Sequence, residues 1–346
     1  MELLKELCEA AGIPGREERL RAIVRRELEP LVDELRVDAL GNLIAVRRGS
    51  SGKKLAIAAH MDEIGFLVTY IEEESGFLRL NPVGGHDPRN MVAQRVKVVG
   101  KQDLPGVLYP GQKPPHLLDG EDKNKTAKVS EFFVDLGLPV KEVRELVPIG
   151  SMVVIDRPFA EIGHCVSCKA MDNRVSVFVM IEALRKAKRS GFEVYALATV
   201  QEEVGLRGVL TATYAVEPDV ALALDITIAA DIPGVPEHER VTCVGNGTAI
   251  KIMDSASISN ARMVEVLREL ALRREIPHQM EILPRGGTDA GGMQRVRAGA
   301  PACTVSIPAR YVHTSIELCA KRDIEATIDL VAAFIEEGHG HDYLPR

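Results

Sequence analysis

The sequence predicts an α/β layered-sheet fold with a β-rich module inserted into it. Apolar strand candidates alternate with helix candidates through the second half of the chain, which is typical of a layered α/β sheet. Residues 66–158 instead contain short runs rich in Val, Gly and Pro, spaced like the strands of a small barrel or sandwich. We therefore expect a discontinuous domain, residues 1–65 and 159–346, around an inserted domain of residues 66–158.

The elements before the insert follow from local patterns. Residues 1–30 place apolar side chains at helical spacing, with a break at the segment GIPG. The segment VDELRVDALGNLIAVRRG predicts two strands around a Gly-Asn turn. The next segment, KKLAIAAHMDEIGFLVTYI, predicts an apolar strand that is interrupted at HMDE.

The elements after the insert alternate regularly between the two types. We expect strands at 193–200, 219–224, 279–283 and 302–306, and helices at 208–215, 260–274, 290–297 and 322–337. The last residues, GHGHDYLPR, are expected to fray, which would leave His339 and His341 disordered.

Composition excludes several classes of function. A net charge of −7 argues against nucleic acid or an anionic membrane as a partner. No apolar run approaches the ~18 residues that a membrane helix needs, and the acidic, helix-patterned N-terminus does not resemble a signal peptide. Six scattered cysteines are typical of thiols in a reducing compartment, so we expect a cytoplasmic protein.

Five short motifs carry histidines and acids in an unusual pattern. Three of them directly follow apolar strand candidates, and open α/β sheets gather their ligands outside the carboxyl ends of strands. All five could therefore converge at one edge of the sheet. They are His60-Met-Asp62, AMDNR with Asp172, QEEVG with Glu202 and Glu203, LALDIT with Asp225, and YVHTS with His313.

The donors suit two metal ions. Two imidazoles and three carboxylates would give each of two cations one histidine and one terminal carboxylate, if one aspartate bridged them. This is the layout of a two-metal hydrolase, in which an open position remains for water. Asp62 lies two residues after His60, on the same face of an extended segment, so its carboxylate could accept the other imidazole N–H.

Eight motifs together resemble the M42 family of metallo-aminopeptidases, the tetrahedral or TET aminopeptidases. In family order they are AAHMDEIGF, PPHLL, FFVDLG, KAMDNR, VQEEVGLRG, ALDIT, GGTDAGG and VHTSIE. The resemblance implies a mixed-sheet, zinc-exopeptidase-like catalytic domain with helices on both faces and an inserted barrel-like domain that mediates dimerisation. It also implies a tetrahedral dodecamer that admits short peptides and excludes folded proteins.

The resemblance assigns roles to the residues of the motifs. It implies two divalent ions per subunit, Zn or Co, with His60 and Asp225 on one ion and Glu203 and His313 on the other. Asp172 would bridge the ions, Glu202 would be the general base, and Asp62 would orient a ligand. Cys168 is a minor departure, since a small residue is usual before the Lys-Ala of KAMDNR.

Two further segments have alternative interpretations. RGGTDAGGMQ, with Gly287, Thr288 and Asp289, is either adjacent to substrate or simply a capped helix. HCVSCK has CxxC spacing at Cys165 and Cys168, but one such pair is weak evidence for zinc or redox chemistry, and buried thiols are the better interpretation.

Competing functions also follow from the same residues. One is another dinuclear exopeptidase or deacylase, such as a carboxypeptidase. A glycosidase is disfavoured, because adjacent glutamates are not a facing pair about 5–9 Å apart and the chain has no Trp for stacking sugars. A non-catalytic scaffold predicts the loss of a catalytic residue, yet Glu202 is present.

Overall fold

The computed structural model describes residues 1–111, 113, 115–117 and 126–344, and these form a layered α/β body and a closed barrel. The strands are β1 (Glu34–Val37), β2 (Leu43–Arg47), β3 (Lys54–His60), β4 (Gly65–Ile71), β5 (Leu78–Val83), β6 (Gln94–Val99), β7 (Asp103–Pro110), β8 (Phe132–Asp135), β9 (Met152–Ile155), β10 (Ala160–Ile162), β11 (Cys165–Cys168), β12 (Glu193–Thr199), β13 (Val220–Ile228), β14 (Thr248–Met253), β15 (His278–Ile282), β16 (Ala302–Arg310) and β17 (Glu317–Ala320). The helices are α1 (Glu2–Glu9), α2 (Glu18–Leu28), α3 (Pro88–Met91), α4 (Val140–Leu146), α5 (Met171–Lys186), α6 (Arg207–Val216), α7 (Ala261–Arg273), α8 (Asp289–Met293) and α9 (Lys321–Glu337).

The sheet of the α/β body is mixed, as predicted. Its strands run in the order β1-β2-β12-β3-β13-β16-β17-β11-β10, and β14 and β15 extend from β16. The four central strands β12, β3, β13 and β16 are parallel, whereas the flanking pairs at both ends are antiparallel. The carboxyl ends of the central strands therefore meet at one edge.

Helices cover both faces of this sheet, which confirms the predicted layers. Alternate residues of β3 point to opposite faces: Leu55 and Ile57 pack with α1, α2, α5 and α9 on one side, and Ala56 and Ala58 pack with α6 and α8 on the other. Because both faces are covered, the central strands are almost continuously apolar.

The inserted module is a closed barrel of the six strands β4-β5-β8-β7-β6-β9. It has its own apolar core, and β7 alternates strictly between exposed and buried residues, as a barrel wall requires. The barrel strands run from Gly65 to Ile155. The domain boundaries at 66 and 158 stay a prediction. Two residues of the PPHLL motif, Pro114 and Leu118, lie outside the described residues.

The C-terminal segment differs from the prediction, since Tyr343 is packed rather than frayed, although Asp342 and Leu344 beside it are exposed. Tyr343 is 4% exposed, lies against Phe334, and donates a hydrogen bond from its hydroxyl to the Gly338 carbonyl at 2.7 Å. The main-chain oxygens of His339 and His341 accept hydrogen bonds from Lys53. A polar composition predicted fraying, but one aromatic side chain anchors the segment.

Among the described residues, no helix is both long enough and apolar enough to cross a membrane.

Candidate metal centre

The register of the parallel strands brings three of the motifs to one level of the sheet. His60 is the last residue of β3 and pairs with Thr199 of β12, so Glu202 and Glu203 follow just beyond that edge. Ala58 pairs with Ala223, which puts Asp225 level with His60. The prediction that Asp225 follows the end of its strand is wrong, because β13 continues to Ile228 by pairing with β16. Its side chain is at the edge because β3 has already ended.

The Asp172 carboxylate lies between the two histidines. Its Oδ1 atom is 3.2 Å from Nε2 of His60, and its Oδ2 atom is 3.2 Å from Nε2 of His313. Asp225 lies on the His60 side, with 3.9 Å between Oδ1 and Nε2, and Glu203 lies on the His313 side, with 3.5 Å between Oε1 and Nε2. The structure therefore brings all five predicted ligands together in two groups around one shared carboxylate.

The two adjacent glutamates face different histidines. They are not part of a strand, because β12 ends at Thr199 and a turn follows. In this turn the carbonyl of Glu202 accepts hydrogen bonds from the N–H groups of Gly205 and Leu206. Glu202 faces His60, with 3.8 Å between Oε2 and Nε2, while Glu203 faces His313.

Asp62 is buried next to this turn and stabilises it through hydrogen bonds to its main chain. Its two carboxylate oxygens accept the main-chain N–H groups of Glu202 and Glu203, each at 3.1 Å. The hydrogen bond to His60 that we predicted for this carboxylate is made instead by the Asp62 main-chain carbonyl, 3.0 Å from Nδ1, since the carboxylate is 3.7 Å away. When Nδ1 carries the proton, the Nε2 lone pair points at the acids.

Two buried contacts involve residues that sequence reasoning did not single out. The Glu317 carboxylate accepts the main-chain N–H groups of Asp172 and His313. Lys169 places its ammonium 2.7 Å from both carboxylate oxygens of Glu63. Glu317, Lys169 and Glu63 each belong to a motif that the sequence analysis quoted: VHTSIE, KAMDNR and AAHMDEIGF. Those motifs were the signal that could have pointed to them.

The charges of the cluster are poorly balanced without a cation. Burial raises the pKa of the Glu202 and Asp225 carboxyls well above their usual values. Burial would lower the pKa of the imidazoles, but the surrounding carboxylates raise it, for His313 to about 12. These groups consequently hold protons that a bound metal would displace. Donor atoms of His60, Glu202 and Asp225 lie within 4.8 Å of one another, and so do those of His60, Asp172 and Glu203. Nitrogen and carboxylate donors of this kind fit divalent ions such as Zn or Co.

A cavity of about 560 Å³ opens beside this cluster and is lined by Gly287 and Thr288. Thr288 precedes α8 without capping it, because its hydroxyl contacts Thr304 at 2.9 Å. Asp289 is not part of the cavity wall, since its carboxylate accepts a hydrogen bond from Thr199 in the interior. Of the three residues predicted to be adjacent to substrate, Gly287 and Thr288 therefore lie where a substrate could contact them, and Asp289 does not.

The CxxC pair does not form a ligand pair. Cys165 and Cys168 lie at the two ends of β11, and residues three apart on a strand point to opposite faces. Cys168 is fully buried as expected, but Cys165 is only partly buried, and all six cysteines are free thiols.

Several known proteins are similar to this chain over nearly its whole length. A putative aminopeptidase of Acetivibrio thermocellus is 38% identical over 96% of this chain and 98% of its own length. An aminopeptidase of the archaeon Desulfurococcus kamchatkensis has a structure that matches with a TM-score of 0.92 and 40% identity, over 97% of this chain and 94% of that one. The TET1 peptidase of Pyrococcus horikoshii, which can assemble into a tetrahedron or a large octahedral shell, matches with a TM-score of 0.86 and 31% identity, over 97% and 99%. The family described as M42 glutamyl aminopeptidase matches residues 41–330. As its motifs predicted, this chain belongs to the M42 family of aminopeptidases.

Proposed function

We propose that this protein removes N-terminal residues from short peptides, using two divalent metal ions and Glu202 as the general base. The observation that supports this most directly is the Asp172 carboxylate between the two histidines, each 3.2 Å from one of its oxygens. A carboxylate in this position could give one oxygen to each of two neighbouring cations, as in two-metal hydrolases.

The proposed ligands divide between the two ions. His60 and Asp225 would hold one ion, Glu203 and His313 would hold the other, and Asp172 would be shared between them. When bound, the ions, Zn or Co, supply Lewis-acid polarisation of the scissile carbonyl and make nearby water more acidic.

Glu202 is the proposed proton carrier. Its side chain borders the cavity, while its main chain is held by Asp62, so the carboxylate can reach a water molecule at the cluster. It takes a proton from the attacking water and returns it to the leaving amine. Asp62 contributes by fixing the turn that carries both glutamates and, through its main-chain carbonyl, the His60 ring.

The cavity beside the cluster is the proposed place for the side chain of the substrate's first residue. Ile226, Leu283 and Val312 supply apolar wall, which suits an aliphatic side chain. Lys251 also borders this space, but its side chain is buried and its ammonium is paired with the Glu281 carboxylate at 2.7 Å. We therefore expect broad or hydrophobic-preferring specificity.

Self-association is the second part of the proposal. We expect dimers formed through the barrel, and a tetrahedral dodecamer built from them. Val92, Val107, Tyr109 and Ile149 support this, because the barrel leaves these apolar side chains substantially exposed. The shells formed by the Pyrococcus horikoshii relative support it as well. A cytoplasmic location stays a prediction.

A panel of aminoacyl p-nitroanilides, assayed with added Zn or Co after size-exclusion chromatography, tests this function. Leucyl substrate should be cleaved faster than glutamyl or lysyl substrate, and EDTA should abolish cleavage. Acetylation of the substrate's N-terminus should also abolish it; cleavage of the blocked peptide would indicate a carboxypeptidase or deacylase instead. Metal-independent cleavage of carboxymethylcellulose would support the glycosidase, which the family match does not favour.

A further inference from the structure

Glu317 occupies the point where two separate segments of the metal centre meet. It is the first residue of β17 and pairs with Cys168, the last residue of β11. The chain reaches Asp172 four residues after Cys168, and His313 lies four residues before Glu317. The glutamate is therefore next to both segments without being part of the predicted ligand set.

Both oxygens of this side chain are used. Oε2 accepts the main-chain N–H of Asp172 at 2.9 Å, and Oε1 accepts the main-chain N–H of His313 at 2.7 Å. Glu317 is only 3% exposed, so little water competes for these bonds. Asp172 has a non-helical backbone at the start of α5, and His313 has a left-handed φ of 59°. Neither N–H group has a strand partner, so the carboxylate satisfies both.

We propose that Glu317 is a positioning residue that sets the distance between Asp172 and His313. One carboxylate spans the backbones of two residues that must hold the same ion, so it orders both before the ion arrives. Asp62 acts in the same way on Glu202 and Glu203. Loss of a hydrogen-bonding partner behind metal ligands typically weakens metal binding 10–100-fold. The inference rests on the proposed function for the identity of the ligands.

A matched control is available in the same region of the chain. Asp323 is also fully buried, and its carboxylate also accepts two main-chain N–H groups, those of Gly245 and Gly247. None of these residues is a proposed metal ligand. Asp323→Asn therefore removes the same kind of interaction without touching the backbone of Asp172 or His313.

The experiment titrates metal-free protein with Zn²⁺ by calorimetry and records thermal unfolding of the same samples. We expect Glu317→Gln, whose amide can accept only one of the two N–H groups, to bind one of the two ions 10–100-fold more weakly. Glu317→Asp, which keeps the charge but is one methylene shorter, should fall between Glu317→Gln and the wild type. Asp323→Asn should lower the melting temperature and leave both affinities unchanged.

Wild-type affinities in both Glu317 variants would overturn the inference, and so would an equal loss of affinity in Asp323→Asn, because the effect would then be general loosening. If Glu317→Gln does not fold, Glu317→Asp decides alone by the same criterion. Metal binding is measured without substrate. An absence of aminopeptidase activity in the wild type would therefore refute the proposed function, but the Zn²⁺ affinities of the variants could still be compared.

Discussion

Replacing Glu202 and Glu203 one at a time by glutamine tests the division of roles between neighbouring residues. Each change removes one negative charge and hardly alters size. The side chains face different histidines, with Glu202 near His60 and Glu203 near His313, and Asp62 holds the main-chain N–H of both. Because these anchoring bonds involve the main chain, neither substitution should rearrange the turn.

The expected losses differ in kind. A general base contributes roughly 10²–10⁴-fold to a rate. At about 1.36 kcal/mol for each tenfold change, Glu202→Gln should raise the activation free energy by about 2.7–5.4 kcal/mol. It should retain both ions, since all five proposed ligands remain. Glu203→Gln should instead lose affinity for the ion on the His313 side. We expect a loss of at least about tenfold, because even the loss of a residue that only supports a metal ligand typically weakens binding about 10–100-fold.

The assay measures initial rates on leucyl p-nitroanilide and the metal content of each variant after dialysis. Excess metal should restore part of the activity of Glu203→Gln and none of the activity of Glu202→Gln. The assignment is refuted if Glu202→Gln keeps more than about a tenth of the wild-type rate. The reverse pattern, with metal lost from Glu202→Gln alone, would exchange the two roles.

Three further predictions concern stability. Burial raises the pKa of Glu17 from 4.5 to about 7. The folded protein therefore holds this proton more tightly than the unfolded chain, and stability is lost as the pH rises from about 4.5 to about 7, by up to about 3 kcal/mol. Glu17→Gln does not titrate, so its unfolding free energy relative to the wild type, measured in urea, should increase over this interval; a constant difference between pH 4.5 and 8 would contradict the assignment. Tyr343→Ala should cost about 3–5 kcal/mol and Tyr343→Phe about 1 kcal/mol, because the ring is buried and the hydroxyl makes one hydrogen bond. A cost below about 1 kcal/mol for Tyr343→Ala would show that the C-terminal segment is frayed in solution. Gly208→Ala should destabilise by about 1–3 kcal/mol and lower activity, since the added methyl would overlap the Val200 carbonyl and the Asn42 side chain, displacing α6 and the turn before it. Gly340→Ala is its control, because nothing lies near that position, and equal unfolding free energies for the two variants would refute the overlap argument.

Much of the α/β body was predictable because its signals are local. The apolar run before His60 predicts a buried strand, and the helix–strand alternation after the insert predicts the layers. The predicted helix at 290–297 is shorter, Asp289–Met293, and Asp225 lies inside its strand rather than after it. Both differences concern element ends, which depend on neighbours in space: β13 continues because β16 pairs with it.

For the candidate metal centre, too, the sequence predicts some features and not others. The identities of its donors, two histidines and the acids around them, are visible in the motifs, because metal chemistry restricts the residue types that can bind. The expectation that Asp62 would contact His60 through its carboxylate failed, because the residues that compete for that carboxylate, Glu202 and Glu203, are about 140 positions away in the chain.

The layered α/β class, the barrel-like insert, the family, the donor set and the bridging role expected for Asp172 could all be inferred from the sequence. The folded structure was needed to show which oxygen faces which nitrogen and that Glu317 holds the main chains of Asp172 and His313. It was also needed to show that Tyr343 packs on Phe334. The physical reason is that patterning along a chain reports burial and local backbone preference. Hydrogen bonds between distant segments depend instead on strand register and on competition among partners that are neighbours only after folding.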